Sequence, residues 1–233
     1  MLKNELCDYT YVMRAVEELS RSEFVQRDVL THSILGREIP VLTLGRGKRG
    51  VLYVGAHHGM EWLTAGVLLD FVADFVDRCE RNGQIYERRA VTLCAERCIR
   101  VVPMLNPDGV EYAIHGAGEK NPLRERVIAM NGSEDLSAWQ ANARGVDLNH
   151  NYHAGFLAYK QQEAATGVVG GAPTRYSGEF PESEPETAAL CRLLRYRREE
   201  IEGVLSLHSP GEEIFCSCGD ALSAKSLSVG RVL

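Results

Sequence analysis

Apolar positions recur at helical spacing from Tyr9 to Leu19, where Tyr11, Val12, Ala15, Val16 and Leu19 share one face before residues 20–23 punctuate the end. This predicts a first helix. The pattern then becomes β-rich: residues 25–35 form a short run, Gly36-Arg37 makes a turn, residues 39–44 form a second run, and residues 45–50 turn again. A hairpin therefore feeds the strand Val51-Leu52-Tyr53-Val54. Helical periodicity returns over residues 63–78, with Val67, Leu68, Phe71, Val72 and Phe75 placed to cover a sheet and Asn82-Gly83 marking the exit.

Residues 99–105 read as another apolar strand, and Asn106-Pro107-Asp108-Gly109 after it is a turn signal. The stretch 112–141 is polar, irregular and Gly-containing, which predicts a long surface excursion with room for one short helix. Loops of that length are uncommon unless functional. After the Gly-rich residues 167–172, Ser183 is placed to cap a helix through Arg197 with Pro185 in its first turn, and residues 204–207 form a last strand. No repeat, linker or low-complexity tract interrupts the order. Residues 1–233 read as one α/β domain, a mixed and mostly parallel twisted sheet flanked by helices.

Composition narrows the possible partners. The net charge is −6 and no Lys/Arg stripe appears, which argues against nucleic acid, whose phosphates need such a stripe. Arg192, Arg195, Arg197 and Arg198, followed by Glu199, Glu200 and Glu202, suit a solvated helix face. The seven cysteines are odd in number and scattered, so they read as reduced thiols rather than staples or a metal cage. The first residues lack a basic segment followed by a long apolar core, and no apolar run approaches the roughly 20 residues of a membrane span. Cytoplasmic placement without a membrane span is the expectation.

The chemistry concentrates in Gly55-Ala56-His57-His58-Gly59-Met60-Glu61-Trp62, between a predicted strand and a predicted helix. His58 and Glu61 are three residues apart at a loop-to-helix junction, so an imidazole and a carboxylate can face one ion. His208 also ends a predicted strand, and neighbouring strand tips in a largely parallel sheet bring such residues together. A His–Glu–His set with a fourth position left for water is a catalytic zinc pattern. His57 reads as packing or loop hydrogen bonding, His32, His115 and His153 as surface or loop residues, and Glu184 and Glu186 as capping or supporting groups.

Five blocks in order carry a family resemblance: residues 55–62, Asn106-Pro107-Asp108-Gly109, Gly145-Val146-Asp147-Leu148-Asn149-His150-Asn151-Tyr152, Ser183-Glu184-Pro185-Glu186 and Leu207-His208-Ser209. The chain resembles the zinc metallocarboxypeptidase family. The wording of residues 145–152, of Pro173-Thr174-Arg175-Tyr176 and of residues 208–214 is most similar to the bacterial γ-D-glutamyl-meso-diaminopimelate peptidases. The resemblance implies one zinc ion held by His58, Glu61 and His208, with Asn149 and His150 in the pocket for the substrate carboxylate. A peptide or muropeptide substrate is implied with it.

Two departures bear on mechanism. Typical carboxypeptidases place Arg where this chain has His150, and a neutral imidazole cannot make the bidentate grip of a guanidinium on a C-terminal carboxylate. A peptidoglycan-like substrate gains from that change. The basic residue that stabilises the oxyanion in the family aligns with Gln140, with Arg144 and Arg124 as neighbouring alternatives, so the donor stays open among the three. The family's general base is a Glu on a strand well downstream of the third ligand. Residues 209–233 offer no apolar strand ending in such a Glu, and Glu212 and Glu213 lie too near His208. The resemblance thus implies a C-terminally truncated member that lacks its last strands and its general-base Glu. The expected function is hydrolysis of the γ-D-glutamyl-diaminopimelate bond, silent in this chain; a general zinc carboxypeptidase and a non-catalytic zinc-binding fragment are the alternatives.

Overall fold

A computed structural model describes residues 6–209 together with 211, 213–218, 221, 222, 226 and 228. The N-terminal segment 1–5 and residues 210 and 212 of the last matched block lie outside the described residues. Helix α1 (Tyr9–Leu19) starts at Asp8, whose side chain accepts a hydrogen bond from the Tyr11 amide and so satisfies one of the free N–H groups of the first turn. Strands β1 (Val25–His32), β2 (Glu38–Leu44) and β3 (Arg49–Val54) follow, then α2 (Leu63–Glu80). A two-stranded hairpin, β4 (Gln84–Ile85) and β5 (Arg88–Arg89), leads to α3 (Ala90–Glu96) and β6 (Arg97–Val102). Helices α4 (Pro107–His115), α5 (Arg124–Asn131), α6 (Phe156–Ala164) and α7 (Pro185–Tyr196) precede β7 (Ile201–Ser206) and the short pair β8 (Ser217–Cys218) and β9 (Ala221–Leu222).

Five strands form the main sheet in the order β1-β2-β6-β3-β7. The β1–β2 and β2–β6 pairs are antiparallel, whereas β3 runs parallel to both of its neighbours, pairing Tyr53 with Val101 on one side and with Leu205 on the other. The parallel half carries the site, because β3 and β7 end at the same level: Val54 pairs with Ser206, and the Leu207 amide donates to the Val54 carbonyl.

Side chains alternate across the sheet and bury on both faces. Leu42, Leu44 and Val101 join Val12, Val16, Leu68, Leu69, Val72 and Phe75 under α1 and α2. On the opposite face Ile39, Val41, Leu52, Val54 and Val102 meet Leu148 and Leu190 of α7. At about 25 cal/mol per Å² these two layers supply the main driving force of the fold.

Three sequence expectations need correction. Asn106-Pro107-Asp108-Gly109 does not form a free turn; it begins α4, with Asn106 as N-cap accepting from the Gly109 amide at 2.9 Å and Pro107 in the first turn. The same residue types serve both roles, since Asn caps a helix as readily as it opens a turn and Pro fits the first helical position. Residues 112–141 are no loose excursion: Tyr112, Val127, Leu136 and Trp139 bury together in a core of their own around α4 and α5. Helix α7 is entered through Glu184 rather than Ser183, because Pro185 fixes the first turn one residue later; the Ser183 hydroxyl instead donates to Glu184 Oε1. Helices α3 and α6 and the β4–β5 hairpin had no counterpart in the expected pattern.

Candidate metal centre

The loop after β3 is held in one shape by its backbone. Ala56 adopts a left-handed φ of 46°, costly for a residue with a Cβ, and its amide donates to the Thr64 hydroxyl at 2.7 Å while that hydroxyl donates to the Glu61 carbonyl. Gly59 passes so close to α4 that a Cβ would meet the Gly109 carbonyl oxygen at 2.2 Å. Only glycine fits there. Its amide and that of Met60 donate to the carbonyls of Gln140 and Trp139, tying the loop to the small core beneath α5.

This frame brings His58, Glu61 and His208 together: one ligand atom from each lies within 4.8 Å of the others. Glu61 Oε1 is 3.0 Å from His58 Nδ1 and Glu61 Oε2 is 3.0 Å from His208 Nδ1. His58 Nδ1 is buried and, despite that proximity, makes no hydrogen bond. Its other nitrogen, Nε2, faces Asp147 Oδ1 at 3.2 Å. An imidazole whose outer nitrogen is held by a carboxylate while the inner nitrogen has no hydrogen-bond partner has the arrangement common to metal-binding histidines. The donor set of two imidazoles and a carboxylate therefore fits a divalent ion of the zinc type.

Asp147, within the block of residues 145–152, has a role that the sequence pattern alone does not reveal. Besides His58, it accepts from the Asn149 amide at 3.1 Å and, through Oδ2, from the Arg175 amide at 2.9 Å. One buried carboxylate thus orients the first imidazole and ties residues 147–150 to Arg175. Its spacing two residues before Asn149 was the only local signal.

The electrostatics are those of a site in which protons stand where a cation would bind. Burial opposes the His58 imidazolium, but the Asp147 and Glu61 carboxylates outweigh it and raise its pKa to about 9. Burial would raise Glu61, yet the hydrogen bond with His208 and the charge of the nearby His58 imidazole hold it at about 2. His57 is buried, and its own desolvation, reinforced by His208 and His58, lowers it to about 3. It stays neutral, sharing a 2.8 Å hydrogen bond with the Tyr152 hydroxyl.

The other residues singled out in the sequence separate into two groups. His150 lies beside the centre, its ring stacked on Tyr159 at 3.8 Å and 9°, and burial lowers its pKa. Asn149 is exposed next to it. Gln140 also stays close, through a contact of Nε2 with Met60 Sδ and a hydrogen bond from the Thr174 hydroxyl. The two arginines are tied down elsewhere: Arg144 to Glu184 at 2.9 Å and Arg124 to Glu134 at 2.9 Å and the Ala117 carbonyl. Glu184 also accepts from Asn142 at 2.7 Å.

Residues 11–226 match the model of the zinc carboxypeptidase family. The chain belongs to that family. Over 210 residues it is 30% identical to γ-D-glutamyl-L-diamino acid endopeptidase 1 of Lysinibacillus sphaericus, covering 89% of this chain and 52% of that protein. The chain thus spans about half the length of this relative. Among solved structures, bovine thrombin-activatable fibrinolysis inhibitor in complex with tick carboxypeptidase inhibitor has a TM-score of 0.65 at 20% identity, covering 96% of this chain and 67% of that one. Carboxypeptidase A from Helicoverpa armigera has a TM-score of 0.64 at 19% identity, covering 95% and 50%. These structures share the fold. Among the described residues no helix is long and apolar enough to cross a membrane.

Proposed function

We propose that this chain carries the metal centre of a zinc peptidase directed at γ-D-glutamyl-diamino acid bonds in peptidoglycan-derived peptides, with His58, Glu61 and His208 as the zinc ligands. The observation that carries the reading is the convergence of their three ligand atoms within 4.8 Å, with Asp147 behind His58. When bound, zinc supplies a Lewis acid for the scissile carbonyl and for water. Asp147 fixes the His58 ring so that Nδ1 keeps its lone pair for the metal. Glu61 remains ionised at any working pH, and neutral His57 adds no competing positive charge.

The substrate class rests on two features. A neutral His150, flat against Tyr159, cannot form a bidentate fork on a C-terminal carboxylate. The relative at 30% identity is named for γ-D-glutamyl-L-diamino acid cleavage. Among the three residues weighed as oxyanion donor, Gln140 is the one not engaged in an ion pair, and it is assigned that place.

A zinc peptidase also requires a carboxylate base within reach of the attacking water. Among the described residues the carboxylates at the centre, Glu61 and Asp147, are committed to the imidazoles, so the 233-residue chain binds zinc without appreciable turnover. Zinc content after dialysis, measured with an assay on L-Ala-γ-D-Glu-meso-diaminopimelate, tests both parts. One zinc per chain, lost in Glu61→Ala, with no hydrolysis is the expected result. Turnover abolished by Glu61→Ala would refute the silence, and absence of bound zinc would refute the centre.

A further inference from the structure

A cavity of about 880 Å³ lies away from the metal centre, between β1, β2, β6 and α7 and beside the turn at residues 45–48. That turn precedes β3, so the cavity sits at the opening end of the strand whose closing end carries His58. Its charge is one-sided. Arg46 and Lys48 line it from the turn, Arg100 from the sheet, Arg192 from α7 and Arg197 from the residue that caps α7, against the carboxylates of Asp28 and Glu200.

Arg100 is the unusual member. It interrupts the apolar strand β6, is only 8% exposed, and has a single carboxylate partner, Glu200, at 2.6 Å. Glu200 is itself shared with Arg197 at 2.8 Å. Nη1 of Arg100 is buried with no hydrogen-bond partner among the described residues. A guanidinium taken out of water and given half of one carboxylate is under-compensated, because desolvating such an ion costs several kcal/mol unless charge and hydrogen bonds are returned. Arg46, Lys48 and Arg192 add three further cations to a lining whose only carboxylates are Asp28 and Glu200.

We propose that this cavity binds the phosphate group of a small phosphate monoester. The cations come from the sheet, the turn and the helix, and a tetrahedral dianion, with more acceptor directions than a planar carboxylate, can take donors from several elements at once. The walls beyond them include Val41, Leu193 and the ring of Tyr196, so the organic part of the ester has an apolar surface to lie on. A volume of this size admits a drug-sized molecule. The site is separate from the zinc ligands and holds whether or not the peptidase reading does.

Phenyl phosphate is the probe, titrated calorimetrically into metal-free and zinc-loaded protein at constant ionic strength. Saturable binding at one site with a Kd of ~1 mM or below in both states is the expected result, with inorganic phosphate competing more weakly. Arg192→Glu and Lys48→Glu, both changes of exposed side chains, should each weaken binding by about tenfold. Arg100→Met should abolish it while leaving the melting temperature unchanged or higher, since it removes a buried, poorly paired ion. No saturation by about 10 mM, binding confined to the zinc-loaded form, or charge reversals without effect would overturn the proposal.

Discussion

Two groups of side chains each bring three metal-binding atoms within 4.8 Å: His58, Glu61 and His208 after β3 and β7, and Asp8, Glu111 and His115 where α1 meets α4. In the second group the oxygens already serve the fold. Asp8 caps α1, Glu111 accepts the Tyr9 amide at 3.0 Å, and the Arg37 guanidinium stands 3.8 Å from its other oxygen. In the first, the Glu61 carboxylate faces only imidazoles, and His58 Nδ1 has proximity without a hydrogen bond. Closeness does not make a metal centre. Ligand atoms that face one another rather than the backbone of the fold, with a carboxylate behind the imidazole to orient it, do.

The most severe way to break this contrast is to remove the shared carboxylate. Glu61→Ala is expected to abolish stoichiometric zinc, read by atomic absorption after dialysis, whereas His115→Ala should leave it at one per chain. Zinc retained by Glu61→Ala, or halved by His115→Ala, would reverse the ranking of the two groups. Asp147→Asn comes next. Asn keeps the shape but loses the charge behind His58, and such a change is expected to weaken zinc by about 10–100-fold in a competition titration with a chromophoric chelator.

Acidity sharpens the comparison with a smaller effect. His58 is raised from its ordinary 6.5 to about 9, so the stability it gives the metal-free protein is complete below pH ~6.5 and disappears as pH climbs through about 9. Glu61 is lowered from 4.5 to about 2, so its contribution is present above pH ~4.5 and is lost as pH falls toward 2. Zinc must displace the His58 proton. Its affinity should therefore rise with pH up to about 9 and flatten beyond, and a profile already flat at pH 7 would show that His58 does not give up a proton to the metal.

Much of the fold was legible because its signals are local. The periodicities of α1 and α2 and the apolar runs of β2 and β3 are set within a few residues, and so is the His58–Glu61 spacing. His208 was legible one step further out, from its place at a strand end. Asp147 was not, because its function depends on a contact across 89 positions of sequence. Helix α3 is only seven residues long, too short to establish a helical period, and α6 hangs on contacts such as Lys160 with Glu163 rather than on an apolar stripe. Trp139 and Leu136 looked like loop residues because their partners, Tyr112 and Val127, come from separate helices. The cationic cavity had one visible trace, a charged Arg100 inside an apolar strand, but its companions come from a turn and a helix far along the chain.

The mildest test concerns the group that is not proposed to hold metal. Asp8 accepts the Tyr11 amide at 2.8 Å, and its second oxygen faces His115 Nε2 at 3.0 Å, so its carboxylate joins the start of α1 to the end of α4. Replacing a capping Asp by Ala typically costs ~1 kcal/mol, and the exposed ion pair with His115 adds little in water. Asp8→Ala should therefore lower stability in urea by about 1 kcal/mol without changing zinc content. Asp8→Asn restores the cap acceptor while removing the charge, and it should recover most of the loss. If Asp8→Asn were as damaging as Asp8→Ala, the carboxylate's charge would matter more than its cap, and the division between a structural group and a metal-binding one would have to be redrawn.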